Sequence, residues 1–428
     1  MTTPSTTSSS PGTFDHGAGK IVPLSLGAMM GFMILLALNL RTSATAVGPV
    51  LNDIAESVEL SAVGAGVLTS LPGLCFGALG FVAVRLAQQF GLTGGLTMGC
   101  GLIWIGGLAR ALTGNAWLFL FCTVVALSGI AIGNVLAPAW IKTHAGTATV
   151  GLMGTYSAVV TASGALGSLT AVPLAQSLGA ALEITGWRAT LGFWAVAAIV
   201  PGIMGILLWV RTGRDRPRAV TPSATSVKIY RSPLAWAMTG FFAFQSMNAY
   251  VQFGWLPQIY QDAGISPAVS GALVSIMSAV PIIGGFVMPW TISRSKNISG
   301  WIIALGLSTA TGYLGLLIDP AGGAWIWAIF FGFGGWAFPT AIALIPVRSR
   351  DPHVTARLSG FVQPIGYMIA ATGPVSIGAL FSATGSWTTP LIVMMATIMV
   401  LLICGFFVAR KTTIESQLSR LDIVTTKS

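Results

Sequence analysis

The sequence contains very little charge. Only 7% of its 428 residues are Asp, Glu, Lys or Arg, whereas 54% are hydrophobic and the mean hydropathy is +0.82. Soluble globular proteins carry about 25% charged residues, because charge keeps their surfaces in water. The apolar content also excludes a disordered chain, and no G-X-Y period supports a collagen helix. The composition therefore predicts an integral membrane protein.

Acidic side chains and histidine are missing from the apolar stretches. All 11 acids and all three histidines lie in tails, loops or span ends: Asp15, Asp53, Glu56, Glu59, Glu183, Asp215, Asp262, Asp319, Asp351, Glu415, Asp422, His16, His144 and His353. Proton-driven transporters commonly use a carboxylate or a histidine buried in the membrane. We therefore expect no relay of protons through buried acids or histidines. If the protein is a transporter, three modes of transport stay open: entry of an anion together with a proton, exchange of one solute for another, and passive facilitation.

Cysteine and catalytic motifs are also scarce. Cys75, Cys100, Cys122 and Cys404 fall inside predicted spans as small apolar residues, and their spacing fits neither a disulfide framework nor zinc. Neither H-E-x-x-H nor G-x-S-x-G occurs. The sequence thus predicts no catalytic residue, no metal site and no cofactor, and a membrane-embedded enzyme is only a remote alternative.

Long apolar stretches dominate the rest of the chain. A spanning helix needs roughly 20 mostly apolar residues, and the stretches free of Asp, Glu, Lys and Arg support twelve such helices. The predicted fold class is an all-α membrane protein with twelve transmembrane helices. The spans are 22–51, 61–84, 92–110, 116–141, 150–176, 188–210, 234–259, 268–291, 299–318, 324–347, 357–381 and 388–409.

The net charge of +10 reports orientation rather than nucleic-acid binding. With the N-terminus in the cytoplasm, every Lys and Arg except Arg41, Arg110 and Arg188 lies on the cytoplasmic side, as the positive-inside rule requires. Arg110 and Arg188 are then placed at outer span ends. Both termini are predicted to be cytoplasmic. The basic cluster between Arg211 and Arg231 could also contact anionic lipid.

A weak internal repeat divides the chain into halves. Gly66-Val67-Leu68-Thr69-Ser70 aligns with Gly271-Ala272-Leu273-Val274-Ser275, and Lys142 aligns with Arg348. Parallel six-helix repeats joined by a cytoplasmic linker are typical of secondary transporters. The predicted organisation is a disordered cytoplasmic tail over 1–20, a six-helix bundle over 21–211, a basic cytoplasmic linker over 212–233, a second six-helix bundle over 234–410 and a cytoplasmic tail over 411–428.

Short motifs along nearly the whole chain resemble one transporter family. They are Leu38-Asn39-Leu40-Arg41 with Val47-Gly48-Pro49, Leu68-Thr69-Ser70-Leu71-Pro72, Ile132-Gly133-Asn134 with Pro138, Gly151-Leu152-Met153, Trp255-Leu256-Pro257 with Asp262-Ala263-Gly264, Leu358-Ser359-Gly360 with Gln363 and Gly366-Tyr367, and Thr384-Gly385-Ser386-Trp387. Together they are similar to the cyanate/nitroimidazole porter branch of the major facilitator superfamily. The resemblance implies a solute site between two six-helix halves near the bilayer midplane.

The chain departs from the general superfamily pattern after the second span. That pattern has Gly followed four residues later by Asp, whereas here Gly80 is followed by Val84 and Arg85. The gating ion pair that this Asp supplies is therefore not expected. Another cytoplasmic latch must replace it.

Arg41 is the charged residue that the predicted spans place within a helix. An ionised side chain in hydrocarbon costs about 2.5 to 3.5 kcal/mol on insertion scales, so it is treated as functional by default. Arg41 either faces a cavity or snorkels to the outer headgroups. In a cavity, its guanidinium could hold a small planar or carboxylate-like anion by two parallel hydrogen bonds. Thr45 lies one turn later on the same face.

Three amides form a polar stripe along the seventh span. Gln245, Asn248 and Gln252 recur at helical spacing on an otherwise apolar helix. Either they contact the solute, or they form hydrogen bonds between helices. Tyr250 lies off this stripe and is a weaker candidate.

Further candidates lie on other spans. The resemblance adds Gln363 and Tyr367, which are one turn apart in the eleventh span. For Asn134 and Tyr156, helix packing is favoured over solute contact. Trp336 could form a wall of the cavity by stacking, although packing is the commoner role of a membrane-buried Trp.

The predicted function is a secondary transporter for a small polar or anionic solute, working by alternating access. Cyanate-like anions, small carboxylates and nitroimidazole-like compounds fit the candidate residues. A multidrug or toxic-compound exporter of the same fold is the alternative, and a channel is less favoured because no filter-like loop appears. The expected partners are the solute and the lipid bilayer of a bacterial cytoplasmic membrane, with no nucleic acid and with a monomer as the functional unit.

Overall fold

The computed structural model describes residues 24–215, 228–295, 297–350 and 352–418. It is 88% helical, with no strand in these ranges. The helices are α1 Leu26–Thr45, α2 Leu51–Ser57, α3 Ala62–Leu112, α4 Ala116–His144, α5 Thr149–Leu182, α6 Gly186–Ala197, α7 Ile199–Thr212, α8 Pro233–Asp262, α9 Pro267–Arg294, α10 Ser299–Ile318, α11 Ala324–Gly334, α12 Ala337–Val347, α13 Pro352–Ala370, α14 Thr372–Thr384 and α15 Thr388–Ala409. Three single 3₁₀ turns, Gly48–Val50, Gly146–Ala148 and Ile229–Arg231, lie between them.

Lipid-facing surfaces are apolar, as the composition predicts. Trp117, Val210 and Ile318 are 75% or more exposed, which only a bilayer can tolerate along so many helices. Eleven segments of the described chain are long and apolar enough to cross a membrane. The predicted span 234–259 is not among them, although α8 covers it with 30 helical residues. Its buried amides lower its hydropathy, and the count of twelve spans stays a prediction.

Several predicted spans are broken where a proline enters the following helix. The chain breaks between α6 and α7, between α11 and α12, and between α13 and α14. Pro201, Pro339 and Pro374 each occupy the third position of the helix after the break. Proline is tolerated there because the first-turn amides have no partner within the helix. These prolines let the helices bend around the interior without exposing backbone groups.

The long helix α3 changes direction at Gly91, which has φ +85° and ψ 170°. This left-handed φ favours glycine. A Cβ at Gly91 would also overlap the side chain of Asp215, which follows α7. Asp215 accepts hydrogen bonds from the Thr93 backbone N at 3.0 Å and from Thr93 Oγ1 at 2.6 Å, and it lies 3.2 Å from His144 Nε2. One carboxylate therefore ties the bend of α3 to the ends of α4 and α7.

The second half of the chain has a similar arrangement at the corresponding end. Arg348, after α12, donates to the carbonyl oxygens of Val408 and Ala409 at 3.0 and 3.1 Å, at the end of α15. Burial lowers the pKa of the Arg348 guanidinium. Glu415 accepts a hydrogen bond from the Arg350 backbone N at 2.7 Å. In both halves an acid that follows the last helix binds the end of an earlier helix, as the internal repeat leads one to expect.

The two halves of the chain pack closely at one end. α5 packs against α9, and α3 packs against α13 and α14. A Cβ at Gly271 would lie 2.8 Å from the Ser168 carbonyl oxygen, and Ser275 Oγ donates to the Ala165 carbonyl at 2.9 Å. These contacts involve the beginning of α9, which the positive-inside pattern places on the outer side. The arrangement closes this end of the interface between the halves.

Candidate solute-binding site

A cavity of about 140 Å³, the main cavity, lies between the two halves. One water molecule needs about 10 to 15 Å³ of such space, so the main cavity can hold a small organic solute. Residues of both halves line it, from α1, α3 and α5 on one side and from α8 to α13 and α15 on the other. No acid is among these lining residues.

Arg41 lines the main cavity and is half-buried. Its Cζ lies 5.9 Å from the centre of the Phe338 ring, and a Cβ at Gly164 would lie 3.6 Å from its Cδ. In the described part of the chain, no residue accepts a hydrogen bond from its guanidinium and no acid forms an ion pair with it. The structure therefore places Arg41 in the interior rather than at the outer headgroups, with all five N–H donors available.

The three amides of α8 are buried and line the same cavity. Asn248 and Gln252 also form a network with Tyr313 of α10. Tyr313 Oη donates to Asn248 Oδ1 at 2.9 Å and accepts from Gln252 Nε2 at 3.3 Å. Gln245 Nε2 donates to Ser246 Oγ. Asn248 and Gln252 therefore form hydrogen bonds between helices, and all three amides line the cavity. Their contact with a solute stays a prediction.

Aromatic rings form one wall of the cavity. Tyr367 packs its ring against Phe76 at 5.8 Å, Phe242 at 4.9 Å and Tyr250 at 6.2 Å between centroids. Arg41 lines the same cavity as Tyr250 and Tyr367. The wall offers π faces beside a cation, an arrangement that suits a flat solute.

A second cavity of about 60 Å³, the outer chamber, adjoins the first. The two share Arg41, Phe76, Tyr250 and Phe253. Thr45 lines the outer chamber, where its hydroxyl donates to the Arg41 carbonyl at 3.1 Å. The chamber lies on the predicted outer side of Arg41, so Arg41 stands at the boundary between the two spaces.

Arg110 lies in the last turn of α3, at the span end where the sequence places it. The structure adds that its side chain is 1% exposed and lines the outer chamber. Its Nη2 donates to the Ser43 carbonyl at 2.7 Å and to Ser43 Oγ at 2.8 Å. A Cβ at Gly106 would lie 2.5 Å from the Ala126 backbone N of α4. Such small residues beside Arg110 are the sequence signal that neighbouring helices enclose it.

Four candidates lie outside the lining of both cavities. Gln363 donates to Ser359 Oγ within α13. Trp336 donates to the Val280 carbonyl at 3.0 Å, and its ring packs against Phe333. Tyr156 is buried on α5, and Asn134 is half-buried on α4. The structure therefore brings together Arg41, Thr45, Gln245, Asn248, Gln252 and Tyr367.

The main cavity continues into a third space at the end opposite the outer chamber. This cleft of about 460 Å³ lies between the first turns of α5 and the last half of α9. It shares Thr161 and Pro281 with the main cavity. The halves of the chain are thus separated at the predicted cytoplasmic end and closed at the other.

A family model for the Major Facilitator Superfamily matches residues 28–374. The chain belongs to this superfamily. It is 33% identical to the 2-nitroimidazole transporter of Escherichia coli over 84% of this chain and 89% of that protein. It is 28% identical to the cyanate transport protein CynX of the same organism over 84% of this chain and 91% of that protein. These similarities confirm the predicted branch of the superfamily.

Major facilitator folds of known structure are similar to this one. A crystal structure of a bacterial homologue of the human lysosomal transporter Spinster has a TM-score of 0.75 at 18% identity, covering 91% of this chain and 98% of that chain. Superfamily membership confirms an all-α, multi-pass membrane protein that transports small solutes and is not an enzyme.

Proposed function

We propose that this transporter carries a small anion or a compact planar solute, and that Arg41 binds it. The observation that supports this proposal is an arginine that has no ion-pair or hydrogen-bond partner among the described residues, in a cavity with no acid among its described lining residues. A half-buried cation without such a counterion favours an anionic ligand, because the ligand supplies the missing charge and acceptors. Cyanate and small carboxylates meet both requirements.

The cavity contacts give each residue a role in this proposal. The guanidinium of Arg41 binds the anionic end through two parallel hydrogen bonds. Gln245 and Gln252 offer carbonyl oxygens that accept no hydrogen bond from any described residue. They can accept one from an N–H of a neutral solute such as a nitroimidazole, whereas cyanate and carboxylates carry no donor for them. The ring of Tyr367 covers the flat face of the solute. A nitroimidazole combines a flat ring, which Tyr367 can cover, with nitro oxygens that accept hydrogen bonds from Arg41.

The different packing at the two ends of the interface supports alternating access. We propose that the bundles 21–211 and 234–410, joined by the linker 212–233, rock around the site. The cleft between α5 and α9 then opens the site to the cytoplasm, and the contact of Gly271 with Ser168 closes the outer side. One chain contains the whole site, so a monomer is the proposed transporting unit.

Thermal unfolding of the purified protein in detergent tests the role of Arg41. Ligands that bind the folded state raise Tm in a saturable way. We expect cyanate, small carboxylates or 2-nitroimidazole to raise the Tm of the wild type, and at least a tenfold weaker effect of the anions on Arg41→Gln. Arg188→Gln is the matched control, since it removes an arginine from the outer end of the same half. Equal anion binding by wild type and Arg41→Gln would contradict the proposal.

Export of toxic compounds is the second candidate function. The aromatic wall of Phe76, Tyr250 and Tyr367 favours it, and so does the similarity to a 2-nitroimidazole transporter. Overexpression would then raise resistance to nitroimidazoles, and deletion would lower it. Unchanged resistance in both strains would exclude this function.

A further inference from the structure

Arg110 contributes hydrogen-bond donors that the protein leaves unused. Its two contacts with Ser43 both come from Nη2. No described residue accepts a hydrogen bond from Nε, which is fully buried, and none accepts from Nη1. Three of its five N–H groups are therefore without an acceptor, in a side chain that is 1% exposed. Buried donors of a charged group are rarely left in this state.

The outer chamber has the size and polarity of a small-anion site. Its volume of about 60 Å³ suits an anion of about three or four heavy atoms. Among the described residues, Arg41 and Arg110 are the only charged ones that line it, and none is an acid. Thr45, Thr69 and Thr123 also line it, and apolar side chains make up most of the rest. Two cations in one enclosed space favour a bound negative charge.

We propose that the outer chamber is a second subsite for a small monovalent anion, held between Arg110 and Arg41. This inference rests on the proposed function, because Arg41 serves both spaces. The anion passes from Arg41 in the main cavity to a position where both arginines bind it. Solutes too large for the chamber bind in the main cavity alone, so the chamber selects small anions.

The main alternative is that Arg110 only holds α3 against α1 through Ser43. A purely structural role would weaken the binding of all ligands alike, whereas a subsite role weakens small anions selectively. Formate, with three heavy atoms, and benzoate, with nine, therefore make a suitable pair of probes. Benzoate exceeds the outer chamber and reports on the main cavity.

Dissociation constants from thermal-shift titrations in gluconate buffer test the subsite. For Arg110→Gln we expect formate affinity to fall at least tenfold and benzoate affinity to change less than threefold. Arg188→Gln should keep both affinities within twofold of wild type. Formate affinity within twofold of wild type in Arg110→Gln would overturn the inference, and so would an equal loss of both anions.

The Arg41→Gln variant separates this inference from the proposed function. If it loses both anions while Arg110→Gln keeps formate, the proposed function stands and the subsite fails. If Arg41→Gln binds both anions as tightly as wild type, the proposed role of Arg41 is wrong, whatever the result for Arg110→Gln.

If Arg110→Gln does not fold, a crystallographic measurement on the wild type tests the proposed subsite instead. Selenocyanate is a linear three-atom anion whose selenium is located by anomalous scattering. Crystals grown with selenocyanate should show selenium in the outer chamber between Arg41 and Arg110. Selenium in the main cavity alone, or in neither space, would overturn the inference.

Discussion

Tyr313 shows how a single phenol supports the polar stripe of α8. Its hydroxyl joins Asn248 and Gln252, and all three side chains are buried. Tyr313→Phe would leave two amides without this partner, which costs about 1–3 kcal/mol per unsatisfied group. We expect a lower Tm for Tyr313→Phe than for Tyr260→Phe, whose hydroxyl has only a 3.4 Å contact with the Ala324 carbonyl. Equal Tm values would contradict the network.

Glycines beside Arg41 offer a matched pair of substitutions. A Cβ at Gly167 would lie 2.7 Å from the Thr42 carbonyl oxygen, while a Cβ at Gly164 meets Arg41 Cδ at an ordinary 3.6 Å. Gly167→Ala should therefore push α1 from α5 and cost about 1–3 kcal/mol of stability, and Gly164→Ala should be tolerated. Thermal unfolding of both variants checks this, and a stable Gly167→Ala would contradict the close approach.

Some of the residues that line the site could be predicted from the sequence. The scarcity of charge singled out Arg41, and helical spacing singled out the amides of α8. The burial of Arg110 was not predictable from its position near a span end, because burial depends on how closely α4 and α1 approach it. The direction in which Gln363 and Trp336 point depends likewise on the rotation of their helices, which periodicity in apolar helices hardly constrains.

Asp215 connects whole helices, because it follows α7 and binds α3 just after the bend at Gly91. Its carboxylate accepts hydrogen bonds from the buried backbone N of Thr93, in the first turn of that helix segment, where negative charge is favourable. Asp215→Ala should lower stability by about 1–3 kcal/mol. Asp319→Ala is the control, because Asp319 binds Gly322 N in an exposed loop. Similar small Tm changes in both variants would show that the contact is unimportant.

The helix breaks mark another limit of sequence-based prediction. Continuous apolar stretches correctly predicted where helices lie, but they merged α6 with α7, α11 with α12, and α13 with α14. Pro201, Pro339 and Pro374 were visible in the sequence. A proline within an apolar run is compatible with either a kinked helix or a new helix, and packing against neighbours decides between the two.

For the whole molecule, the proposed access to the site requires the two ends of the interface between the halves to differ in their accessibility to water. Ser157 lines the cleft between α5 and α9, whereas Ser168 is fully buried at the closed end. In a variant without native cysteines, Ser157→Cys should react with an impermeant maleimide in inside-out vesicles. Ser168→Cys should react far more slowly. Equal labelling of the two, or labelling of Ser157→Cys only from the outer side, would contradict the proposed orientation of the structure.

Uptake into proteoliposomes shows directly whether Arg41 binds the transported anion. Radiolabelled cyanate would be supplied at alkaline pH, where it is almost fully ionised, to vesicles containing wild type, Arg41→Gln or Arg188→Gln. We expect saturable uptake by wild type and Arg188→Gln, and an uptake rate at least tenfold lower in Arg41→Gln. Saturable uptake by Arg41→Gln at the wild-type rate would contradict the proposed role of Arg41.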